Sequence, residues 1–178
     1  MQEVTIGGKT FEQYISEEQI AGRVAELGTM ISNEYADKNP LFIVLLKGAY
    51  VFASDLLKHF LHPCTVSFFR LSSYKGMSST GELTFKDVFD ENIQGRDVVV
   101  VEDIVDTGNT LSGFLPALQK LEPNSVKVVS LLSKPDVLQG KVHIDFLGFE
   151  IPPAFVVGYG LDFDEQGRNY PQIYQLKQ

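Results

Sequence analysis

The chain has 178 residues, of which 44% are hydrophobic and 21% are charged. This balance is typical of a protein that buries one sizeable core, so we expect a single domain spanning residues 1–178. The formal net charge of -8 and the sequence pI near 4.8 argue against a broad attraction to nucleic acid or to an anionic membrane. Any anionic ligand must therefore be bound by a local site.

Cysteine and hydropathy patterns restrict the class of protein further. Cys64 is the only cysteine, which excludes an intrachain disulfide and a thiolate metal cluster and fits a cytoplasmic location. The first residues lack the charged and then apolar arrangement of a signal peptide, and no apolar run approaches the length of a membrane span. We therefore expect no membrane partner.

The first half of the chain alternates helix and strand patterns. Ser16 begins a capping box in which Gln19 can reach back to the cap, and apolar residues then follow at helical spacing. Leu41–Leu46 is short and continuously apolar, as expected for a strand covered on both faces of a parallel sheet. A helical pattern follows over Ala49–Leu61, and Thr65–Leu71 is predicted to be another strand.

The second half repeats this alternation after Ser72–Gly81, a small, polar segment that we expect to be a mobile loop. Asp97–Val101 is the strongest β-branched run, and a helical stretch covers Leu111–Leu121. Pro116 has no backbone donor, which predicts either a kink or a later start of that helix. Further predicted strands are Ser125–Leu132, Phe146–Phe149 and Phe155–Val157. The alternation predicts an α/β domain with a mainly parallel central sheet flanked by helices.

The segment after Val101 is the first place to look for a site, because parallel sheets bind ligands beyond the carboxyl ends of their strands. Asp106–Thr110 (DTGNT) offers backbone amides, hydroxyls and the start of a helix to one anion. Glu102 and Asp103 can accept hydrogen bonds from vicinal sugar hydroxyls or approach a divalent metal. Together they indicate a bound phosphate and ribose. The alternative is an ordinary helix cap, since Asp and Thr are common N-cap residues.

The run Val98–Leu111 (VVVVEDIVDTGNTL) resembles the signature with which type I phosphoribosyltransferases bind 5-phosphoribosyl diphosphate. The resemblance extends from about Leu41 to Arg168 through several separated motifs, and it is best with the hypoxanthine-guanine branch. It implies the type I phosphoribosyltransferase fold, in which N- and C-terminal segments form a small hood. Residues from about 134 to 178 would contribute the part of the hood that binds the base.

On the donor side, Lys47 and Gly48 resemble the family loop that meets pyrophosphate, often through a cis peptide bond before the lysine. The sequence leaves open whether the bond between Leu46 and Lys47 is cis. Ser73 and Tyr74 resemble part of a mobile lid that closes over the site. The residues that the resemblance assigns to ribose and its 5′-phosphate are Glu102, Asp103, Thr107, Gly108, Asn109 and Thr110.

On the acceptor side, Lys134 resembles the lysine that donates to the 6-oxygen of a purine. Phe155 resembles the aromatic residue that stacks on the base, and Val156 lies where the family contacts its edge through the backbone. Asp162 and Arg168 match a metal-approaching aspartate and a pyrophosphate-contacting arginine. The ordinary alternatives are a surface lysine, a core phenylalanine and a structural ion pair. Mg²⁺ is the implied cofactor, and its candidate ligands are Asp162, Glu102 and Asp103.

The resemblance implies purine salvage: transfer of 5-phosphoribosyl to hypoxanthine or guanine, with Asp106 as the candidate general base. Related enzymes form dimers or tetramers, so we expect a homodimer or homotetramer whose other partners are small-molecule substrates. One alternative is a regulatory protein that senses the diphosphate or a nucleotide, although the acidic charge argues against RNA binding. Another is a transferase for orotate or xanthine. Lys134 together with Phe155 favours a 6-oxopurine.

Overall fold

The computed structural model describes residues 2–70, 92–138 and 140–177. Its strands are β1 (Glu3–Ile6), β2 (Lys9–Ile15), β3 (Leu41–Leu46), β4 (Thr65–Arg70), β5 (Asp97–Val105), β6 (Ser125–Ser133), β7 (Phe146–Glu150), β8 (Val156–Val157) and β9 (Ile173–Leu176). Its helices are α1 (Glu17–Glu34), α2 (Tyr50–Lys58), α3 (Asn109–Gln119) and the short α4 (Pro135–Leu138). Among these helices, none has both the length and the apolarity that a membrane crossing requires.

Two sheets organise the described residues. The central sheet has five parallel strands in the order β4-β3-β5-β6-β7, and helices cover both of its faces. The second sheet, in the order β1-β2-β9-β8, is antiparallel and is built from the N- and C-terminal segments. The predicted α/β class, with a parallel central sheet and a small hood, is confirmed. We call the second sheet and the loop Gly158–Gln172 the hood.

The central strands are buried on both faces because their side chains alternate between two cores. Phe42 and Val44 point into the cluster formed with α1 and α2, whereas Ile43 points into the cluster formed with α3. All three side chains have no exposed surface. This arrangement explains why β3 is a continuous apolar run rather than an alternating one.

The start of α1 follows the predicted capping box. The backbone N–H of Gln19 donates to Ser16 Oγ at 3.3 Å, and the backbone N–H of Ser16 donates to Gln19 Oε1 at 2.9 Å. Further along the helix, the Arg23 guanidinium donates to the carbonyl oxygens of Leu147 and Gly148 in β7. These two bonds fix α1 against the edge of the central sheet.

β5 continues to Val105, so the sequence-based end at Val101 is wrong. Its ladder to β3 ends with the pair Val44 and Val101, but its ladder to β6 continues until Val105 lies opposite Ser133. The acidic residues after Val101 are therefore part of a strand that is paired on one side. They are held more firmly than loop residues would be.

α3 begins at Asn109, so of the two alternatives predicted from Pro116, a kink or a later start of the helix, the later start is wrong. Gly108 is the N-cap and has a left-handed φ of 72°, which lets the chain enter the helix immediately after the loop. Pro116 lies inside the helix and is exposed. It has no N–H for the carbonyl of Ser112, one turn earlier, so α3 contains a residue that disfavours helix.

The first forty residues contribute more than the predicted α1. β1 and β2 form a hairpin whose turn is Gly7-Gly8, with φ values of 55° and 75° that favour glycine. β2 then pairs with β9, and Phe11 and Tyr174 are fully buried between them and the rest of the hood. The two ends of the chain thus build one structure.

Other predicted boundaries shift by a few residues. α2 ends at Lys58 rather than near Leu61, and β8 begins at Val156 rather than at Phe155. The predicted mobile loop Ser72–Gly81 lies outside the described residues.

Helix α3 offers a direct test of these local effects. We expect Pro116→Ala to raise the free energy of unfolding by roughly 1–2 kcal/mol, because it restores a backbone donor in a helix interior. Gly113→Ala is the matched control, because it adds no hydrogen bond. A Cβ atom at this position would meet nothing within 4 Å, so the change introduces no clash. It should contribute about 0.5–1 kcal/mol. Urea titration measures both values, and a destabilised Pro116→Ala protein would contradict the assignment of α3.

Candidate active site

The loop between β5 and α3 surrounds a small cavity at the start of the helix. The cavity has a volume of about 90 Å³, which is roughly that of three water molecules in the liquid. Its walls include Asp106–Thr110 together with Glu102 and Ile104. The first turn of α3 carries no acidic residue, and its N-cap has no side chain that could accept a hydrogen bond. The helix therefore presents amide donors and the positive end of its dipole to this cavity.

Gly108 is required at this loop for a second reason besides its left-handed φ. A Cβ atom built on it would lie 2.6 Å from Cδ1 of Leu138, so α4 packs directly against the loop backbone. Thr107 Oγ1 accepts a hydrogen bond from the backbone N–H of Asn109 at 3.4 Å. The ordinary helix cap considered from the sequence, an Asp or Thr at the N-cap, is not what the chain uses.

The adjacent acids on β5 have different environments. Glu102 is 7% exposed, and Oε1 of its carboxyl group accepts the backbone N–H of Asp103 at 3.0 Å. Burial, reinforced by the neighbouring Asp103 carboxylate, raises the pKa of Glu102 well above its usual value. Asp103 is only partly buried, and its Oδ1 accepts the backbone N–H of Ile104 at 2.9 Å. The pair thus combines a buried carboxyl group that favours its neutral form with a carboxylate that reaches the surface.

Asp103 lies directly against the loop that follows β3. A Cβ atom built on Gly48 would lie 1.5 Å from Oδ2 of Asp103, so the Asp103 carboxylate occupies the space that a side chain at position 48 would need. The peptide bond between Leu46 and Lys47, which the sequence left open, is cis. The candidate pyrophosphate loop and the acid pair are therefore immediate neighbours.

Asp106 and Lys134 meet across the ends of β5 and β6. Lys134 Nζ donates to Asp106 Oδ2 at 2.8 Å, and the lysine side chain is only 11% exposed. The backbone N–H of Lys134 donates to the carbonyl oxygen of Val105, which holds the two strand ends together. Lys134 is therefore not the ordinary surface lysine that the sequence alone allowed. The contact joins the loop Asp106–Thr110 to the side of the site on which we expect the base.

Charged side chains of the hood gather around the lysine of the β3 loop. Arg168 Nη2 lies 2.7 Å from Asp162 Oδ1 and 3.2 Å from Glu165 Oε2, and its Nη1 donates to the carbonyl oxygen of Gly160 at 2.8 Å. Lys47 Nζ lies 2.9 Å from the same Glu165 oxygen. The ion pair between Asp162 and Arg168, anticipated as the ordinary alternative, is thus present. Two cations, Lys47 and Arg168, therefore converge on one carboxylate oxygen of the hood.

Phe155 is 46% exposed, so it is not the core residue that its type suggested. Its ring contacts Phe163 edge-on at a centroid distance of 5.7 Å and Phe11 at 6.4 Å. Its carbonyl oxygen accepts the backbone N–H of Leu176. The ring is therefore supported from the hood and leaves part of its surface to solvent, where a flat ligand can stack on it. Val156 is buried beside it in β8.

Some predicted site residues are not located by the structure, and other residues were missed. Ser73 and Tyr74, assigned to a lid, lie outside the described residues. The sequence did not indicate Glu165 or Phe163, because neither residue belongs to a recognisable motif. Tyr159 was also missed, although its hydroxyl donates to Asp55 Oδ2 at 2.7 Å and thereby joins the hood to α2.

The carboxylates suit a magnesium ion only in combination with substrate oxygens. Within residues 2–70, 92–138 and 140–177, no cluster of three or more His, Cys, Asp or Glu side chains could hold a metal by itself. Mg²⁺ is usually bound through one or two carboxylates together with phosphate oxygens and water. Asp162, which contacts Arg168, and Asp103, which lies against Gly48, are partly exposed acids, which fits that pattern. Glu102 is less accessible to a metal ion than these two acids, because its side chain is buried.

The fold and the site define a class: an α/β protein whose loop at the end of a parallel sheet, beneath a hood, has the amide donors and the cavity that suit a phosphorylated ligand. The similarity of this chain to known proteins supports the same class. The model of the family described as the phosphoribosyl transferase domain matches residues 11–164. The chain therefore belongs to the phosphoribosyltransferase family.

Several individual proteins are similar to this chain over most of their length. The chain is 44% identical over 164 residues to the hypoxanthine-guanine phosphoribosyltransferase of Bacillus subtilis (strain 168), covering 92% of this chain and 91% of that protein. It is 41% identical to the hypoxanthine phosphoribosyltransferase of Salmonella typhimurium, with 92% and 94% coverage. A crystal structure of a hypoxanthine-guanine phosphoribosyltransferase from Bacillus anthracis is similar with a TM-score of 0.83 and 35% identity, covering 94% of this chain and 97% of that one.

The raised pKa of Glu102 predicts a pH-dependent stability. Between roughly pH 4, the ordinary carboxyl pKa, and its folded pKa, the folded protein binds more protons than the unfolded chain. Stability is therefore lost as the pH rises through this interval. A Glu102→Gln variant has no such proton, so its Tm relative to the wild type should increase from pH 5 to pH 8.

The measurement is thermal unfolding with a metal chelator present and no substrate. Glu150→Gln at the exposed end of β7 is the matched control for the same chemical change. A Glu102→Gln difference that stays constant over the same range would contradict the burial argument.

Proposed function

We propose that this chain transfers the 5-phosphoribosyl group of 5-phosphoribosyl 1-diphosphate to hypoxanthine or guanine, forming IMP or GMP and pyrophosphate in purine salvage. Family membership and the names of its relatives support this class of reaction. Those names differ in whether guanine is included, so the preference between the two bases is left to experiment.

The observation that carries the proposal is the hydrogen bond between Lys134 and Asp106. Asp106 begins the loop that surrounds the cavity at the start of α3, and Lys134 directly follows β6 and donates to Asp106. A sensor of the donor alone would need the loop but not a nearly buried lysine beside it. An amine at this position can donate to the 6-oxygen of a purine while Asp106 accepts a proton from the ring.

On the donor side, the amides and hydroxyls of Thr107–Thr110 would hold the 5′-phosphate in the cavity at the start of α3. Asp103 would accept hydrogen bonds from the ribose hydroxyls, and Glu102 would support it from within the strand. Lys47, Gly48 and Arg168 would bind the diphosphate. The convergence of Lys47 and Arg168 on one carboxylate oxygen supports this assignment, because the leaving group is the most highly charged part of the donor.

On the acceptor side, Phe155 would stack on the purine and the Val156 backbone would contact its edge. The exposed ring face of Phe155 supports the first role. In the reaction, the bond between C1′ and the diphosphate oxygen breaks and a bond between C1′ and purine N9 forms, through a transition state with oxocarbenium character. Asp106 accepts the proton lost from the base, and Lys134 polarises the 6-oxo group.

Magnesium is part of the proposal as a cofactor. It would be held by the diphosphate oxygens with Asp162 and the acid pair Glu102 and Asp103, and it would supply positive charge for the leaving group. The chain's own residues orient the donor and shield the reacting atoms from water. Closure of the segment that contains Ser73 and Tyr74 would complete the shielding.

We also propose that residues 1–178 act as one domain, in the cytoplasm, as a homodimer or homotetramer. The hood supports a single unit, since it pairs strands from both ends of the chain. A single cysteine suits a reducing compartment. Size-exclusion chromatography with light scattering tests the oligomeric state.

The reaction itself is tested by incubating the protein with Mg²⁺, the diphosphate donor and one base at a time. We expect nucleotide from hypoxanthine or guanine and little from adenine or orotate, because Lys134 donates a hydrogen bond and cannot accept one from an amino group at C6. Chromatography of the nucleotides gives the readout. If no base yields a nucleotide, the proposed activity is wrong, and orotate as the preferred base would reassign the acceptor side.

The role of Asp106 gives a second prediction. Asp106→Asn keeps a hydrogen-bond acceptor for Lys134 but cannot take up a proton, so kcat should fall by roughly 10²–10⁴-fold while nucleotide binding is nearly unchanged. Asp136→Asn, at an exposed position in α4, is the control for the same chemical change. Steady-state kinetics and calorimetric titration with IMP measure the two effects. Unchanged turnover in Asp106→Asn would remove this residue from catalysis.

A further inference from the structure

A tight turn in the hood contains two residues with unusual backbone angles. Phe163 and Gln166 exchange both backbone hydrogen bonds, which closes a two-residue hairpin loop between them. The residues inside it, Asp164 and Glu165, have φ values of 50° and 64°. This left-handed region normally selects glycine or asparagine, and a side chain as long as glutamate is uncommon there. A local preference that is overridden in this way indicates a function for the side chain.

The carboxylate of Glu165 is held between the two cations of the proposed diphosphate site. Its Oε2 lies 2.9 Å from Lys47 Nζ and 3.2 Å from Arg168 Nη2. The backbone N–H of Glu165 donates to Asp162 Oδ2 at 2.9 Å, which fixes the turn next to the same arginine. The hydrogen bonds from Lys47 and Arg168, together with their charges, lower the pKa of the Glu165 carboxyl group. One oxygen thus lies where a diphosphate oxygen would have to lie.

We propose that Glu165 is a competing anion for the diphosphate site. Its carboxylate neutralises Lys47 and Arg168 when the site is free, must be displaced when the donor binds, and returns as pyrophosphate leaves. Glu165 therefore weakens diphosphate binding and accelerates product release. This inference rests on the proposed function, because it takes Lys47 and Arg168 as the diphosphate-binding cations.

The exposure of the side chains fits a contact that can open and close. Glu165 and Lys47 are 64% and 46% exposed, so water solvates both when they separate, and exposed ion pairs are individually weak. Pyrophosphate carries several charges and can contact both cations at once, so it outcompetes a single carboxylate. Arg168 is only 18% exposed and keeps its bond to the Gly160 carbonyl throughout. Glu165 is therefore the part of the cluster that moves.

The experiment compares Glu165→Gln with the wild type and with Asp164→Asn. Asp164 occupies the same turn and is exposed, and within the described part of the chain it makes no ion pair. Calorimetric titration with pyrophosphate, with and without Mg²⁺, measures binding without catalysis. We expect Glu165→Gln to lower the Kd for pyrophosphate and its inhibition constant by roughly three- to tenfold, whereas Asp164→Asn leaves them within a factor of two.

Several outcomes would overturn the inference. Weaker pyrophosphate binding in Glu165→Gln would make Glu165 a positioning residue for Lys47, and unchanged binding would make the ion pairs incidental. If the only change in Glu165→Gln is that its affinity for pyrophosphate depends less on Mg²⁺, Glu165 is a metal ligand. If Glu165→Gln does not fold, Glu165→Gly suits the left-handed φ and tests the same change. If the wild-type protein makes nucleotide but binds pyrophosphate with the same Kd as Glu165→Gln, only this inference is wrong. If the wild-type protein makes no nucleotide from any base, the proposed function is wrong.

Discussion

The structure depends on a close approach of two backbone segments at Gly48. On one side, Oδ2 of Asp103 fills the space where a Cβ atom of Gly48 would be, and on the other the Gly48 carbonyl oxygen would lie 2.1 Å from a Cβ atom of Gly160. Position 160 therefore requires glycine, and a Cβ atom at Gly48 would displace the Asp103 carboxylate. The contact brings the hood onto the carboxyl end of the central sheet, and the hydrogen bond from Tyr159 to Asp55 supports it nearby. Without this approach, Arg168 and Lys47 would not share an anion.

An acidic protein that handles a polyanionic donor needs local positive charge, and the chain provides it in three forms. The first turn of α3 offers amides, Lys134 is nearly buried beside Asp106, and Lys47 and Arg168 meet across the Gly48 contact. Excess negative charge elsewhere on the surface does not cancel these sites, because exposed charges are screened over about 8–10 Å.

The sequence predicted the parts of the fold that depend on local pattern. The capping box at Ser16 and the apolar run of β3 specify their elements without help from distant residues. The end of β5 and the start of α3 were misplaced, since pairing with β6 and packing of Gly108 against Leu138 decide them. Gly7-Gly8 is a hairpin signal, but the partner of that hairpin is β9, at the far end of the chain. Glu165 could not be found from sequence, because its role depends on where a turn places it.

The central claim is that the phosphate loop and the hood form one site with Asp106 and Lys134 between its halves. A crystal structure with IMP, pyrophosphate and Mg²⁺ tests it most directly. We expect the 5′-phosphate against the amides of residues 107–110, the purine ring on Phe155, its 6-oxygen within hydrogen-bond distance of Lys134 Nζ, and pyrophosphate at Lys47 and Arg168. A nucleotide whose phosphate lies outside the α3 loop, or whose base is remote from Lys134, would contradict the account.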